Sequence, residues 1–256
     1  MAIDAQQIRR FLDPLLVSKD VDVHLEELQK SGYLEHLFPE VEAMVGFGGK
    51  GTGHKDLWWH TKLVVKQTIP VVTLRWASLF HDIGKPTCFK QEGEKISFHH
   101  HEAASARLFR SLAKRTQLFT KEECKEISFI LYNLGHVEGY SSRWTDSAVR
   151  RAGKILAPYR DSVFAVARAD CTSGNPHTRR KMAYLTHDLR ARIVKLEELD
   201  TTPPALPSGL GEALAAHLGI DHGPELGSIM RELKARVEAG ELPRNDSYDT
   251  YLQALA

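Results

Sequence analysis

Residues 74–86, Leu-Arg-Trp-Ala-Ser-Leu-Phe-His-Asp-Ile-Gly-Lys-Pro, constrain this chain more than any other stretch: an apolar helix runs into His81 and Asp82 and is stopped by Gly84 and Pro86. So apolar a helix must be buried, and an imidazole and a carboxylate delivered at its end need partners there. Side by side they offer a nitrogen and an oxygen donor to a hard or borderline divalent cation. Two donors do not complete a metal site, so the rest of the chain has to supply others. The dipeptide alone carries little weight, since a chain of this length contains about one His-Asp by chance. A second, His187-Asp188, lies within Arg- and Lys-rich helix surface with no other candidate ligand within a turn.

The periodicity is helical almost throughout. Ile8, Phe11, Leu12, Leu15 and Leu16, continued by Leu25, Leu28 and Leu34, predict two or three short helices over 7–38, closed by Pro39. Further helices are predicted over 56–69, 71–82, from about 101 through Leu112, from 121 to about Asn133, over 145–157, 159–170 and 178–199, with two or three small ones over 210–242. Strand-type alternation is sparse, and residues 87–97 read as a polar loop, so the fold class is all-α. The organisation is N-terminal helices and a connector over 1–50, a core over 51–200 and a small helical appendage over 201–256, after the Pro-rich break at 201–209. Gly46, Gly48 and Gly51 have the spacing of a dinucleotide loop, but no β-branched strand precedes them, and a flexible connector is the reading adopted.

Candidate ligands accumulate around the pair. In the helix over 56–69, His60 falls on the inner face with Leu57 and Val64, and Asp56, one turn earlier, is placed to orient its ring. Phe-His-His-His-Glu at 98–102 opens the next helix, and because adjacent helical residues diverge, His101 is the one chosen for the site. His136 follows Gly135 and is expected just past a helix C-terminus. Asp170 ends an apolar helix, where a buried carboxylate calls for a partner. Nitrogen and oxygen donors without thiolate suit Mn²⁺, Ni²⁺, Co²⁺, Fe²⁺ or Mg²⁺.

Charge and cysteines narrow the setting. Net charge is +1, yet Arg143 to Lys195 carries twelve cations against four acids, leaving about −7 for the remainder. Such a run forms solvated helix faces or meets a phosphate-rich ligand. Three cysteines, Cys88, Cys124 and Cys171, match neither a zinc ribbon nor a disulfide framework, which fits a reducing compartment. Neither a leader-like N-terminus nor a bilayer-spanning segment is apparent, so a cytoplasmic protein with no membrane contact is expected.

In order, His60, His81-Asp82, His101, His136 and Asp170 resemble the His, His-Asp, His, His, Asp series of the HD phosphohydrolase superfamily. Gly32-Tyr-Leu-Glu-His-Leu-Phe-Pro-Glu40, Asp56-Leu-Trp-Trp-His-Thr61, Phe80-His-Asp-Ile-Gly-Lys-Pro86, Phe98-His-His-His-Glu102 and Ala169-Asp170 are similar to the HD-containing half of bacterial tRNA nucleotidyltransferases, as are Gly223-Pro-Glu-Leu-Gly227 and Gly240-Glu-Leu242. The likeness covers roughly residues 7–245 and implies an HD helical bundle. The nucleotide-transferring head of that family has no counterpart in this sequence, so nucleotide addition is not expected.

The resemblance implies a metal-dependent phosphohydrolase acting on 2′,3′-cyclic nucleotides, 2′-phosphomonoesters of nucleotides, or RNA ends through metal-activated water. His60, His81, Asp82 and Asp170 would ligate the ion. His101 and His136 would face the same cavity, as ligands of a second ion or as phosphate contacts, and Lys85 would touch phosphate. Asp82 would accept the water's proton, and His101 or His136 would stabilise charge or protonate the leaving ribose oxygen. Two alternatives stand beside it: an RNA-binding module using the basic 143–195 region, and an HD 5′-nucleotidase or deoxynucleotide phosphohydrolase.

Overall fold

Apolar residues at helical spacing collapse onto one central helix in the computed structural model, which describes residues 5–48, 56–93, 95–201 and 203–255. The chain forms α1 (Ala5–Val17), α2 (Val21–Lys30), α3 (Tyr33–Leu37), α4 (Pro39–Glu42), α5 (Leu57–Gln67), α6 (Val72–Phe80) and α7 (Lys85–Cys88). A hairpin of β1 (Lys90–Glu92) and β2 (Lys95–Ser97) follows, then α8 (His101–Thr116), α9 (Lys121–Glu138), α10 (Asp146–Leu156), α11 (Arg160–Asp170) and α12 (Pro176–Thr201). The last helices are α13 (Leu210–Leu218), α14 (Pro224–Glu238) and α15 (Tyr248–Gln253). The protein is all-α apart from the hairpin. Two compact units are present, the first reaching Ile193 and the second beginning at Val194, within α12. Helices α1 to α4 belong to the first.

In the first unit α6 is the central element. Every residue from Leu74 to Phe80 is buried, because α1, α5, α9 and α11 all pack against it. Trp76 stacks on Phe80 at 5.5 Å between ring centroids, and Phe38, Phe109 and Phe119 close around them. Burial of each such ring stabilises the unit by about 1.5–3 kcal/mol. Polar groups inside this packing are satisfied: the Trp76 indole donates to Asp13, and the Arg75 guanidinium donates to the carbonyls of Leu16, Ser18 and Thr68. Arg75 thereby closes the exposed backbone at the ends of α1 and α5 and fixes the direction in which α6 runs.

The hairpin corrects the loop expected over 87–97. Its strands pair antiparallel, Lys90 opposite Ser97 and Glu92 opposite Lys95, and Gly93 turns the chain at φ +63°. The residues of β1 are all exposed, so no apolar alternation marks the strands in the sequence. A second correction concerns α9, which continues through Gly135 to Glu138. Gly135 is there for close packing: a Cβ on it would lie 2.7 Å from Glu102 Oε1 of α8. In the connector, Gly46 and Gly48 take left-handed φ values of +69° and +81°, while Gly51 lies outside the described residues.

The second unit has its own core of Leu210, Leu214, Leu226, Leu233, Val237 and Tyr251. The Tyr251 hydroxyl donates to Pro243 O and accepts from the Asp246 amide, so α15 is held by one buried phenol.

Arg9 ties α1 to the start of α9. Its guanidinium donates to Asp13, to Leu118 O and to both Glu123 oxygens, while Glu123 completes a capping box with Thr120. Burial disfavours ionised Glu123, but Arg9 and the Thr120 amide outweigh it and hold the carboxyl below its ordinary 4.5. A depressed folded-state value means stabilisation that is complete above the ordinary value and is lost as pH falls through the folded one. Glu123→Gln is therefore expected to cost about 1–3 kcal/mol at neutral pH, with the deficit shrinking below about pH 4. Urea denaturation across a pH series checks this; a pH-independent deficit would remove the assignment.

Candidate metal centre

Three helices end or begin at one point. Asp56 caps α5 by accepting from the Trp59 amide at 2.7 Å, which starts the helix so that His60 lies one turn in. Helix α6 delivers His81 and Asp82, 3% and 1% exposed, and α11 ends in Asp170. The Nε2 atoms of His60 and His81 lie 3.2 Å apart. Asp82 Oδ2 is 3.4 Å from the first and 3.2 Å from the second, and Asp170 Oδ1 is 2.9 and 3.2 Å from them.

These separations test whether a cation fits. Donors bonded to one ion at about 2.0–2.2 Å stand about 2.8–3.6 Å apart at tetrahedral or octahedral angles; all five measured separations fall in that range. Asp170 Oδ1 is buried and receives no well-directed hydrogen bond despite its nearness to both rings, an uncompensated acceptor of the kind a cation satisfies. The His81 Nδ1–H donates to Ser78 O at 2.7 Å, which leaves Nε2 of the neutral ring with its lone pair directed inward. His60 is held through Nδ1 by Thr172 Oγ1 at 2.8 Å. That corrects the role expected of Asp56, whose carboxylate is occupied in capping α5. The donor set fits a divalent cation, and such ring anchoring is the usual support of a metal-binding imidazole.

The electrostatics call for positive charge at the same point. Burial opposes protonation of His81, yet Asp82 and Asp170 outweigh it and push the imidazole well up; His60 is raised by the same carboxylates against its own burial. Burial also opposes ionisation of Asp82 and Asp170. His81 with Lys85 overrides it for Asp82, and the two imidazoles do so for Asp170, holding both carboxylates below the usual range. Lys85 Nζ lies 2.6 Å from Asp82 Oδ2.

Other predicted residues divide. His101 opens α8; its Nδ1 lies 3.0 Å from Phe98 O, and its Nε2 is 3.6 Å from Asp82 Oδ1. The approach depends on Gly84, whose amide donates to Ser105 Oγ at 2.9 Å; a Cβ there would lie 2.6 Å from the Ser105 amide nitrogen. His136 is not brought to the cluster. Because α9 does not stop at Gly135, His136 sits in its last turn and lines a separate pocket with His100, Tyr132 and Trp144. Among the described residues, the group of three that could hold a metal ion is His60, His81 and Asp82. The other His-Asp pair is structural, with Asp188 accepting from the Tyr140 hydroxyl, which also accepts from Arg192.

One residue near the cluster had no signal in the sequence. Glu138, the last residue of α9, shares a hydrogen bond with Asp170. Burial first, then the charges of Asp170 and Asp82, push its carboxyl well above the ordinary 4.5. Beside the cluster lies a cleft of about 460 Å³ whose wall includes His60, Lys85, Thr172 and the rings of Phe47, Phe89 and Phe98.

Comparisons with known proteins give the chain a family. Residues 59–197 match the HD domain family, and the chain belongs to that family. It is 25% identical over 258 residues to the A-adding tRNA nucleotidyltransferase of Deinococcus radiodurans, covering 98% of this chain and 58% of that protein. To the CC-adding tRNA nucleotidyltransferase of Thermus thermophilus it is 30% identical over 247 residues, 91% of this chain and 52% of the relative. A third relative, the Multifunctional CCA protein of Pseudomonas savastanoi pv. phaseolicola, is 28% identical over 144 residues, 54% of this chain and 34% of its own length. The chain thus spans about half the length of the first two. Among the described residues, no helix is long and apolar enough to cross a membrane.

An ion held by the folded cluster at a hundred times its Kd adds about 2.7 kcal/mol of stability, which raises Tm by roughly 5–10 °C in a chain of this size. Thermal melts of metal-stripped protein with Mn²⁺, Ni²⁺, Co²⁺ or Mg²⁺ restored are expected to show that rise. In His60→Ala it should largely disappear. An equal rise in the variant would place the ion elsewhere.

Proposed function

We propose that this chain is a metal-dependent phosphohydrolase that opens 2′,3′-cyclic phosphates and removes 2′-phosphates from nucleotides or RNA ends. The observation that carries the reading is the convergence of His60, His81 and Asp82 at cation-ligand spacing, joined by a buried Asp170 oxygen 2.9 and 3.2 Å from the two rings, beside a cleft of about 460 Å³ whose wall includes His60 and Lys85. Membership of the HD domain family supports metal-dependent hydrolysis as the class of reaction.

When bound, a divalent ion polarises a phosphoryl oxygen and lowers the pKa of water toward about 7. The chain's own residues do the rest. His60, His81, Asp82 and Asp170 hold the ion, their rings fixed by Thr172 and Ser78. Lys85, on the cleft wall beside Asp82, attracts the phosphate and neutralises its charge. His101, next to Asp82, handles the leaving-group proton: water gives up one proton to solvent and attacks phosphorus as hydroxide, the bond from phosphorus to a ribose oxygen breaks, and that oxygen takes a proton from the imidazole, which solvent reprotonates. Asp82 is less suited to proton transfer than its position in the sequence implied, because a carboxylate held ionised by His81 and Lys85 is a weak base. We assign it to ligation and orientation, and we prefer His101 to His136 for the proton.

A second reading rests on the surface of the first unit, where Arg151, Lys154, Arg168, Arg180 and Lys181 are all exposed, and on relatives named for tRNA. Such a face would hold an RNA backbone, and its affinity would fall with salt by about 0.7 in log K per log unit for each phosphate neutralised.

The deciding experiment gives metal-stripped protein 2′,3′-cyclic AMP beside 2′-, 3′- and 5′-AMP, with each ion restored in turn. Metal-restored turnover of the cyclic or 2′ substrate is expected, and Asp82→Ala should lower kcat more than about 100-fold with its circular dichroism unchanged. Turnover of 5′-AMP alone would move the substrate to the 5′-nucleotidase class. With no turnover, salt-sensitive tRNA binding would replace the enzyme reading by the RNA-binding one.

A further inference from the structure

Of the four residues that meet at the cluster, Asp170 is the one whose own helix explains its placement least. It is the last residue of α11, where the closing carbonyls have no partner within the helix, and a carboxylate there stands at the negative end of the helix dipole. At Cys171 the backbone leaves the helix, with φ −73° and ψ 88°. The helix end alone does not fix the carboxylate. Yet Oδ1 stands 2.9 Å from His60 Nε2 and 3.2 Å from His81 Nε2, and ligation tolerates displacements of only about 0.2 Å.

Helix α5 supplies attachments on either side of Asp170. The Gln67 side-chain amide donates to Ala169 O at 2.7 Å, taking up one of the closing carbonyls. Two residues past Asp170, Thr172 Oγ1 meets His60 Nδ1 at 2.8 Å. His60 and Gln67 are seven residues apart, hence two turns and about 10 Å along the same side of α5, so the segment 169–172 is attached to one helix at two points with Asp170 between them. The end of α5 is in turn tied to the helix that delivers the other ligands. Thr68 is 1% exposed; its Oγ1 shares a 2.7 Å hydrogen bond with Ser78 Oγ, and its carbonyl accepts from Arg75 Nε at 3.0 Å. Ser78 and Arg75 belong to α6, and Ser78 O is the acceptor that orients His81. A run of bonds therefore leads from His81 through Ser78, Thr68 and Gln67 to the backbone of Ala169. Gln67 itself is exposed, so its amide can be removed without opening the core.

We infer that Gln67 is a positioning residue of the metal centre: through the Ala169 carbonyl, and with Thr172 as the second attachment, it sets the Asp170 oxygen at ligand distance from an ion held by His60, His81 and Asp82. The inference rests on the reading of this cluster as a metal centre and not on the identity of the substrate.

The test titrates metal-stripped protein calorimetrically with Mn²⁺ and with Ni²⁺, and melts each form with and without the ion. Ni²⁺ is the tighter binder of the two in the general order of divalent ions, which keeps weakened variants measurable. Gln67→Met keeps the length of the side chain and removes the donor. It should raise the Kd by about 10- to 100-fold, the range for loss of an outer partner of a ligand, while the Tm of the metal-free protein moves by no more than about 2 °C, as for a surface substitution. Thr172→Val should raise the Kd comparably, and Thr172→Ser, which keeps the hydroxyl, should stay near the wild-type value. Asp170→Asn supplies the reference: in that background Gln67→Met should add less than about twofold, because the ligand through which it acts is already lost. A wild-type Kd in Gln67→Met, or the same loss with and without Asp170→Asn, overturns the positioning role and leaves the metal centre standing. A metal-free Tm lowered as far as the metal-loaded one reduces the bond to a structural role and overturns it too. If wild-type protein binds neither ion, the metal centre falls and the positioning role with it.

Discussion

Two ionised carboxylates sit beside two imidazoles at the end of a helix with no exposed face, and the rest of the first unit is arranged around making that tolerable. Removing an aspartate from water is costly, and here Asp82 and Asp170 are brought within a few ångströms of the same two ring nitrogens. Only positive charge resolves the conflict. Imidazolium protons and a divalent cation are two ways of supplying it, which compete for the same lone pairs. Glu138 feels the same conflict: burial first, and then the charges of Asp170 and Asp82, push its carboxyl well up.

Around that centre the supports are of two kinds. Some orient single atoms, as the Ser78 carbonyl does for His81 and the Thr172 hydroxyl for His60. Others place whole elements: Arg75 sets α6 against the ends of α1 and α5, and the aromatic cluster around Trp76 and Phe80 locks the helix that carries the pair. The cleft then borrows its second wall from the least helical part of the chain, the hairpin and the connector. Rigid helices hold the charged groups, and short irregular segments supply the aromatic side of the cleft.

Much of this was legible beforehand, for identifiable reasons. Helices with one apolar face announce themselves by period, so α5, α6, α8 and α11 emerge within a few residues of their ends, and with them His60, the His81-Asp82 pair, His101 and Asp170. Features made by polar or solitary residues do not. The strands of the hairpin have no apolar alternation, and α15 buries one residue, Tyr251. Gly135 looked like a helix stop and is a point of close packing, which is why His136 ends in another pocket. Asp56 stood one turn from His60 and was the natural partner on paper, but a helix start needed its carboxylate more. Thr172 and Glu138, the partners His60 and Asp170 do have, are far away in the chain and chemically ordinary, so nothing local could single them out.

Gly84 carries one more consequence. Its bare backbone lies against the first turn of α8, backbone to backbone, with the Ser105 hydroxyl reaching across. Trimming a neighbouring side chain would not make room for a larger residue there, because the nearest atoms, the His101 carbonyl oxygen and the Ser105 amide nitrogen, are backbone. The portable unit of this centre is therefore not the His-Asp dipeptide but the dipeptide, the glycine and the start of a helix some twenty residues on. Transplanting the pair alone into another helical scaffold would carry over two ligands and leave behind the contact that brings His101 beside Asp82.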